Sequence, residues 1–479
     1  MRLTRAHYLA ILAAFAVYCL LACVVPPMDD ELYGWCWAVT PQLSYYDHPP
    51  MTAYLIWLTT AVFGETLFAV RLPACLGSAF VFGAILCLTQ PKRVAWWLLF
   101  TPMFTFGAVL ITPDTPLLVF WTAYVLWLVK THERLSAGRI PTHYWLIGGI
   151  LFGCGVLGKY TMGLAVPAGF LTFALAGQSR KWIVGYVVHG IIAFTVASPI
   201  LIYNIPRDFV PLQFQWNHSM GQNELSFKRF GEFMGIQMLL FGTMPLVLFP
   251  WVIVHSRKFL ANPRLRVCLC MYGFPFAFFL YKAARGPLEG NWALACFVAF
   301  WPLAAVWYES VKDRRFWQIA APASFALPWA VVAILAVHLA YPLPFVPSAA
   351  DRVTRQTVKY EITKQIRDFL ANQPEKLPLY VDTYQWTALL RFQGIDARQI
   401  ARLDLRQIAR VTRESHFTQI PEAITDSEVA WVLWEGTPPA HLTAGFAEPT
   451  RLEIFPLMIG NDIVTAFWLW RYEKIAAKR

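Results

Sequence analysis

The residue types most capable of chemistry crowd into one stretch. Residues 27–66 contain no Lys or Arg, yet Asp29-Asp30-Glu31 is followed by Tyr33, Trp35 and Trp37 and then by Tyr45-Tyr46-Asp47-His48-Pro49-Pro50. Three acids placed directly after an apolar run are costly unless they are solvated or used. Carboxylates beside aromatic faces suit a sugar, whose C–H faces stack on rings while its hydroxyls bond the acids. A solvated loop with an interfacial aromatic belt is the plainer alternative.

Four further places stand out. Asp114 lies in Thr112-Pro113-Asp114-Thr115-Pro116, as an active carboxylate or simply a helix N-cap. Lys159 occupies a tight turn, Gly158-Lys159-Tyr160, between two apolar runs. It is a functional candidate because ionisable groups at membrane depth are expensive, and its plain alternative is snorkelling to the headgroups. His218 lies in the 204–231 loop. The 282–292 segment carries Lys282, Arg285, Glu289, Asn291 and Trp292, and its cations suit an anion such as phosphate, with lipid headgroups as the competitor.

Absences narrow the chemistry. The chain has no Walker loop, dinucleotide glycine fingerprint, Gly-x-Ser-x-Gly elbow or His-Glu-x-x-His. A group-transfer enzyme working outside the cytoplasm needs an activated donor delivered within the bilayer. A sugar on a polyprenyl phosphate fits, because the lipid partitions into the membrane and the phosphate is the leaving group.

The elements that must hold these residues are mostly membrane helices. Of 479 residues 57% are hydrophobic and 14% charged, and mean hydropathy is +0.46. A soluble chain is typically about 45–50% apolar and about 25% charged, so a polytopic α-helical membrane protein is expected. Apolar runs predict eleven crossings, with thirteen as the alternative count. They cover 7–26, 67–89, 94–111, 116–129, 143–158, 161–177, 182–203, 232–254, 267–282, 292–308 and 318–342, and 51–63 is predicted to lie along the membrane surface. Residues 1–26 begin like a signal peptide but lack a clear cleavage site, so they read as an uncleaved first helix.

Before residue 348, sixteen Lys and Arg fall on one side of these crossings and seven on the other. The positive-inside rule then puts the N-terminus inside and the C-terminus outside, and it accounts for the net charge of +11 without a nucleic-acid partner. Ten of the thirteen acids in this part fall on the outer side or its boundary, which fits a functional outer face. Residues 348–479 carry 17 Lys and Arg and 16 Asp and Glu. They read as a soluble α/β domain outside the membrane, with a helix over 351–371 and strands over 378–382, 429–434 and within 455–470. The expected division is therefore a membrane catalytic domain, 1–347, with a large first outer loop at 27–66, and a periplasmic domain, 348–479. The nine cysteines include no zinc-spaced pair, so neither a disulfide framework nor a cysteine metal site is expected.

The ordered set Asp29-Asp30-Glu31-Leu32-Tyr33, Tyr46-Asp47-His48-Pro49-Pro50, Thr112-Pro113-Asp114-Thr115-Pro116, Gly158-Lys159-Tyr160-Thr161 and Asn291-Trp292 resembles the GT-C glycosyltransferases. The matching branch holds the protein O-mannosyltransferases and the lipid A aminoarabinose (ArnT-like) transferases. The resemblance implies an inverting transfer of a hexose or pentose from undecaprenyl phosphate to an acceptor at the periplasmic face of the bacterial inner membrane. That acceptor is lipid A, another lipopolysaccharide component or envelope glycan, or a protein.

Carried onto this sequence, Asp30 is the catalytic base and Asp114 the acid of the second outer loop. Lys159, with Arg285, Lys282 and His48, falls to the donor phosphate. Glu31, Tyr33, Tyr46, Asp47, Asn291 and Trp292 fall to sugar or acceptor. His48 departs from the branch, which has Glu-Lys where this chain has Asp47-His48. Asp47 and His218 form a tentative divalent-metal pair, and no other cofactor is implied. The expected partners are the polyprenyl-linked sugar, the acceptor and membrane lipids, with the chain acting as a monomer. A lipid or glycan transporter is the competing reading. Transporters often carry internal repeats, and this sequence shows none. A non-catalytic envelope scaffold would leave Asp30, Asp114 and Lys159 without a job.

Overall fold

The computed structural model describes residues 3–89, 93–97, 101–136, 138, 140–176, 182–220, 224–348, 351–400, 428–438 and 446–475. Its helices in chain order are α1 (Arg5–Val24), α2 (Asp29–Val39), α3 (Met51–Phe63), α4 (Leu67–Leu88), α5 (Arg93–Trp96), α6 (Asp114–Ser136), α7 (Thr142–Gly158), α8 (Ala165–Ala174), α9 (Trp182–Asn204) and α10 (Val210–Met220). They continue with α11 (Phe227–Phe241), α12 (Met244–Val254), α13 (Ser256–Ala261), α14 (Pro263–Arg285), α15 (Phe297–Val311), α16 (Arg315–Ala323), α17 (Ala326–Ala340), α18 (Arg352–Ala371) and α19 (Tyr384–Phe392). The chain divides into two compact units, one of Met1–Cys23 with His48–Ala333, the other of Val24–Asp47 with Ile334–Arg479. The division is not the expected boundary at 347/348: the acid-bearing segment belongs with the C-terminal residues.

Among the described residues six helices are long and apolar enough to cross a membrane, or seven if the bent pair α11–α12 is one span. This is a multi-pass membrane protein. Against the eleven expected crossings, some apolar runs make shorter helices, as α7 and the Tyr160–Ala174 stretch do, and α3, expected along the surface, is short as well. The 94–111 run is not one helix: α5 ends at Trp96, residues 98–100 lie outside the described set, and Pro102–Phe104 is a 3-10 turn. Proline supplies no N–H to continue a ladder. The 232–254 run breaks at Gly242, whose φ of +77° ends α11, and the two helices meet at 114°. An L side chain rarely adopts that conformation. The 292–308 run opens as a 3-10 turn over Gly290–Cys296 before α15.

The second unit holds the α/β part. Strands β1 (Leu379–Val381), β2 (Ala397–Gln399), β3 (Val429–Glu435), β4 (Thr450–Ile459) and β5 (Asp462–Glu473) form one sheet in the order β2-β1-β3-β5-β4. β1 runs parallel to β2 and β3, while β5 is antiparallel to β3 and β4. Residues alternate between faces, as strand geometry requires. Leu379, Val381, Trp431, Leu433 and Leu469 pack under Ile362, Ile366 and Leu370 of α18, whereas Tyr380, Val432 and Tyr472 cluster separately. The helix expected over 351–371 and the strands over 378–382 and 429–434 are present, and the 455–470 stretch splits into β4 and β5 around Gly460-Asn461.

Candidate active site

In the membrane unit the site grows from one close approach. An added Cβ on Gly158 would stand 3.0 Å from the Leu117 nitrogen and 3.1 Å from Pro116 Cβ. Glycine therefore lets the end of α7 press against the first turn of α6. Lys159 follows in extended conformation, and its Nζ donates to Asp114 Oδ1 at 2.7 Å. Asn291 Nδ2 donates to Asp114 Oδ2 at 2.6 Å from the 3-10 turn after α14. Both carboxylate oxygens are thus occupied, and the side chains of Lys159 and Asp114 are only 12% and 8% exposed. Asp114 opens α6, where the helix dipole favours an anion. It does not act as the cap, because it is the first residue of the helix and its two oxygens accept from Lys159 and Asn291 instead.

Around this triad, Trp292 presents its ring 5.8 Å from Lys159 Nζ. His218 is exposed, with its ring 6.2 Å from Trp292 and 6.1 Å from Phe214. Five predicted site residues, Asp114, Lys159, Asn291, Trp292 and His218, therefore form one chain of contacts. Lys282 is buried near the end of α14, Arg285 lies over Tyr281 of its own helix at 5.2 Å, and His48 is half-buried.

The other unit carries the first-loop acids on α2. Glu31 is buried and its Oε2 accepts the Met28 N–H at 3.0 Å, a helix-capping role. Asp29 pairs with Lys359 of α18 at 3.7 Å. Tyr33 is buried, donates its hydroxyl to Asp47 Oδ1 at 3.1 Å, and packs on Tyr384 at 4.5 Å and on Trp37 at 4.4 Å. Tyr46 is buried. Of these four acids, Asp30 alone has a carboxylate with no hydrogen-bond partner among the described residues. Its side chain keeps solvent access, but protein packed around it and then the charges of Asp29, Asp47 and Glu31 push its pKa up to about 6, while Lys359 pulls the other way.

With this geometry in view, comparison with known proteins becomes informative. The whole fold aligns with ArnT from Cupriavidus metallidurans bound to undecaprenyl phosphate, over 99% of each chain, with a TM-score of 0.65 and 13% identity. The apo form aligns over 97% of each chain at a TM-score of 0.63 and 14% identity. The chain resembles the GT-C transferases of the ArnT-like branch and carries their fold. Residues 47–203 match the dolichyl-phosphate-mannose-protein mannosyltransferase family. The lipid A galacturonosyltransferase RgtD of Rhizobium johnstonii is 23% identical over 295 residues, a stretch spanning 59% of this chain and 60% of that relative.

On the GT-C fold, the tentative metal pair has one member in each unit, and no group of three or more His, Cys, Asp and Glu able to hold an ion occurs among the described residues. Two polar side chains that touch the segments flanking or carrying these acids were not legible. Arg71 of α4 is fully buried and donates Nη1 to the Ala22 carbonyl at 3.0 Å, fixing the end of α1 seven residues before Asp29. Its signal was an arginine inside an apolar run, Phe68-Ala69-Val70-Arg71-Leu72. Lys359 had no signal, since it sits on an ordinary charged helix.

Proposed function

We propose that the chain is an inverting glycosyltransferase that moves a hexose or pentose from undecaprenyl phosphate to lipid A or another envelope glycan at the periplasmic face of the inner membrane. The observation that carries this reading is the contrast among the first-loop acids: three are engaged by Lys359, Met28 and Tyr33, and Asp30 is left unbonded with a pKa of about 6. A carboxylate so poised is a serviceable base near neutral pH. Similarity to ArnT and to RgtD supports the donor and acceptor classes.

In this reading Asp30 takes the proton of the acceptor hydroxyl as its oxygen bonds to the anomeric carbon. The bond from that carbon to the phosphate oxygen breaks on the opposite side and inverts the centre. The polyprenyl phosphate leaves as a monoester of low basicity and needs no acid. Asp114 and Asn291 hold Lys159 in place. The Lys159 ammonium has three donors, one of them on Asp114, so others remain for phosphate oxygens whose charge grows in the transition state. Trp292 offers a ring beside that ammonium. The test is transfer of labelled sugar from undecaprenyl phosphate in detergent, wild type against Asp30→Asn, with mass spectrometry of lipid A from cells with and without the protein to name the sugar. Near-normal transfer by the variant removes the base.

A further inference from the structure

Helix α18 of the C-terminal part reaches the first-loop acids through two residues on one face, Gln356 and Lys359, spaced as neighbours on a helix. The buried Gln356 carboxamide, oriented so that both its ends are satisfied, accepts the Asp29 backbone N–H at 2.9 Å and donates to Asp29 Oδ2 at 3.3 Å. Lys359 Nζ approaches the same Oδ2 at 3.7 Å, with the two side chains 22% and 17% exposed. Asp29 Oδ1 turns back to accept the Asp30 N–H at 3.1 Å. The Lys359 ammonium lies 5.8 Å from the Trp386 ring of α19, so it has a seat of its own beside the pair.

We propose that Lys359 is a positioning residue which neutralises Asp29 and so leaves its neighbour Asp30 as the working acid. The proposal deepens the functional reading above and rests on Asp30 as the base. It also gives helix α18 a part in the reaction. Among the described residues, the charges that face Asp30 are Asp29 and Glu31 from α2, Asp47 with the Tyr33 hydroxyl upon it, and Lys359 from α18. Tyr384 of α19 adds a neutral phenol against Tyr33. Lys359 is the one cation in that set. Without it, Asp29 becomes an uncompensated anion next to the residue that must itself become an anion to work.

The test uses the full chain in detergent with Asp30→Cys as a reporter. The rate of alkylation by iodoacetamide at pH 7.5 is followed on the peptide carrying residue 30, so the native cysteines do not interfere. Thiolate, not thiol, reacts. Adding Lys359→Met should slow the reaction about threefold or more, because a lost cation disfavours the thiolate. Adding Asp29→Asn to that pair should recover most of the lost rate. Lys359→Arg should leave it within about twofold, since the charge survives. An unchanged rate in Lys359→Met, or a slowed rate that Asp29→Asn does not relieve, overturns the proposal. A mere tether between α18 and α2 would not be rescued by removing the opposite charge. This assay needs no sugar donor, so it can fail while Asp30→Asn still abolishes transfer, and the base assignment can fail while the thiol rates follow the pattern.

Discussion

Asp114 and Asp30 are the same residue type in the same chain, and their surroundings ask opposite things of them. Asp114 is 6% exposed and has one oxygen on an ammonium and the other on a carboxamide. That environment holds it in place. Asp30 keeps solvent access, has three acids near it and a carboxylate with no hydrogen-bond partner among the described residues, and its pKa is raised toward neutrality. A carboxylate gripped by a cation and a donor is fixed in position, whereas one pressed by like charges and partial desolvation moves toward taking a proton. A fixed carboxylate can orient the groups bound to it, and one with a raised pKa can exchange a proton.

The largest expected effect breaks the comparison at Asp30. Asp30→Asn should lower transfer about 10²–10⁴-fold, the usual worth of a general base, without loss of folded protein. In the wild type, turnover should climb as pH rises through about 6 and level off above it. A flat profile from pH 5 to 8 would separate Asp30 from the chemistry.

At Asp114 the loss should be structural first. Asp114→Ala leaves Lys159 buried without its anion, and breaking such a pair typically costs about 3–5 kcal/mol. The measurement is thermal unfolding in detergent alongside transfer, and here both should fall together, unlike in Asp30→Asn. Lys159→Ala should cut turnover at least about tenfold, equivalent to about 1.4 kcal/mol in the barrier. Lys159→Arg should retain part of it, because charge is kept and shape is not. Turnover within twofold of wild type in a folded Lys159→Ala protein would move the phosphate contact elsewhere, with Arg285 next in line.

A smaller change sharpens the point that geometry sets these roles. Gly158→Ala puts a methyl group about 3.0 Å from the backbone of α6, so α7 must back away and carry Lys159 from Asp114. A several-fold loss of transfer is expected with modest loss of stability. If transfer is unaffected, the close approach matters only for packing.

Composition and motif order made the membrane class and the α/β tail legible and marked out Asp30, Asp114 and Lys159 as candidates, because apolar runs and misplaced charges leave marks in one dimension. Partnerships did not show. Nothing in Thr112-Pro113-Asp114 says that Asn291, 177 residues away, will bond it. Glu31 read as a sugar ligand, since a buried cap and a binding acid look alike as letters. Lys359 was invisible because a lysine on a charged helix is ordinary until its neighbour across space is known. The division of the chain was equally hidden: Val24–Asp47 follows a membrane helix in sequence but packs with residues beyond 333.

The smallest expected effect concerns stability, and its sign is opposite to that of most substitutions at ionised residues. The carboxyl of Asp30 has its folded pKa raised from 3.8 to about 6, so the folded state favours the protonated form. Its contribution to stability is present below the unfolded value and is lost as pH rises through about 6. At pH 7.5 the wild type carries an ionised group in a place that resists it, while Asp30→Asn does not. The variant should therefore match the wild type in Tm at pH 4 and exceed it by roughly 1–2 °C at pH 7.5, a small gain because the side chain keeps solvent access. Higher stability with lost transfer is what a residue kept for function at some cost to the fold should show. Parallel melting curves across this range would make Asp30 an ordinary solvated carboxylate, and the contrast with Asp114 would then rest on hydrogen bonding alone.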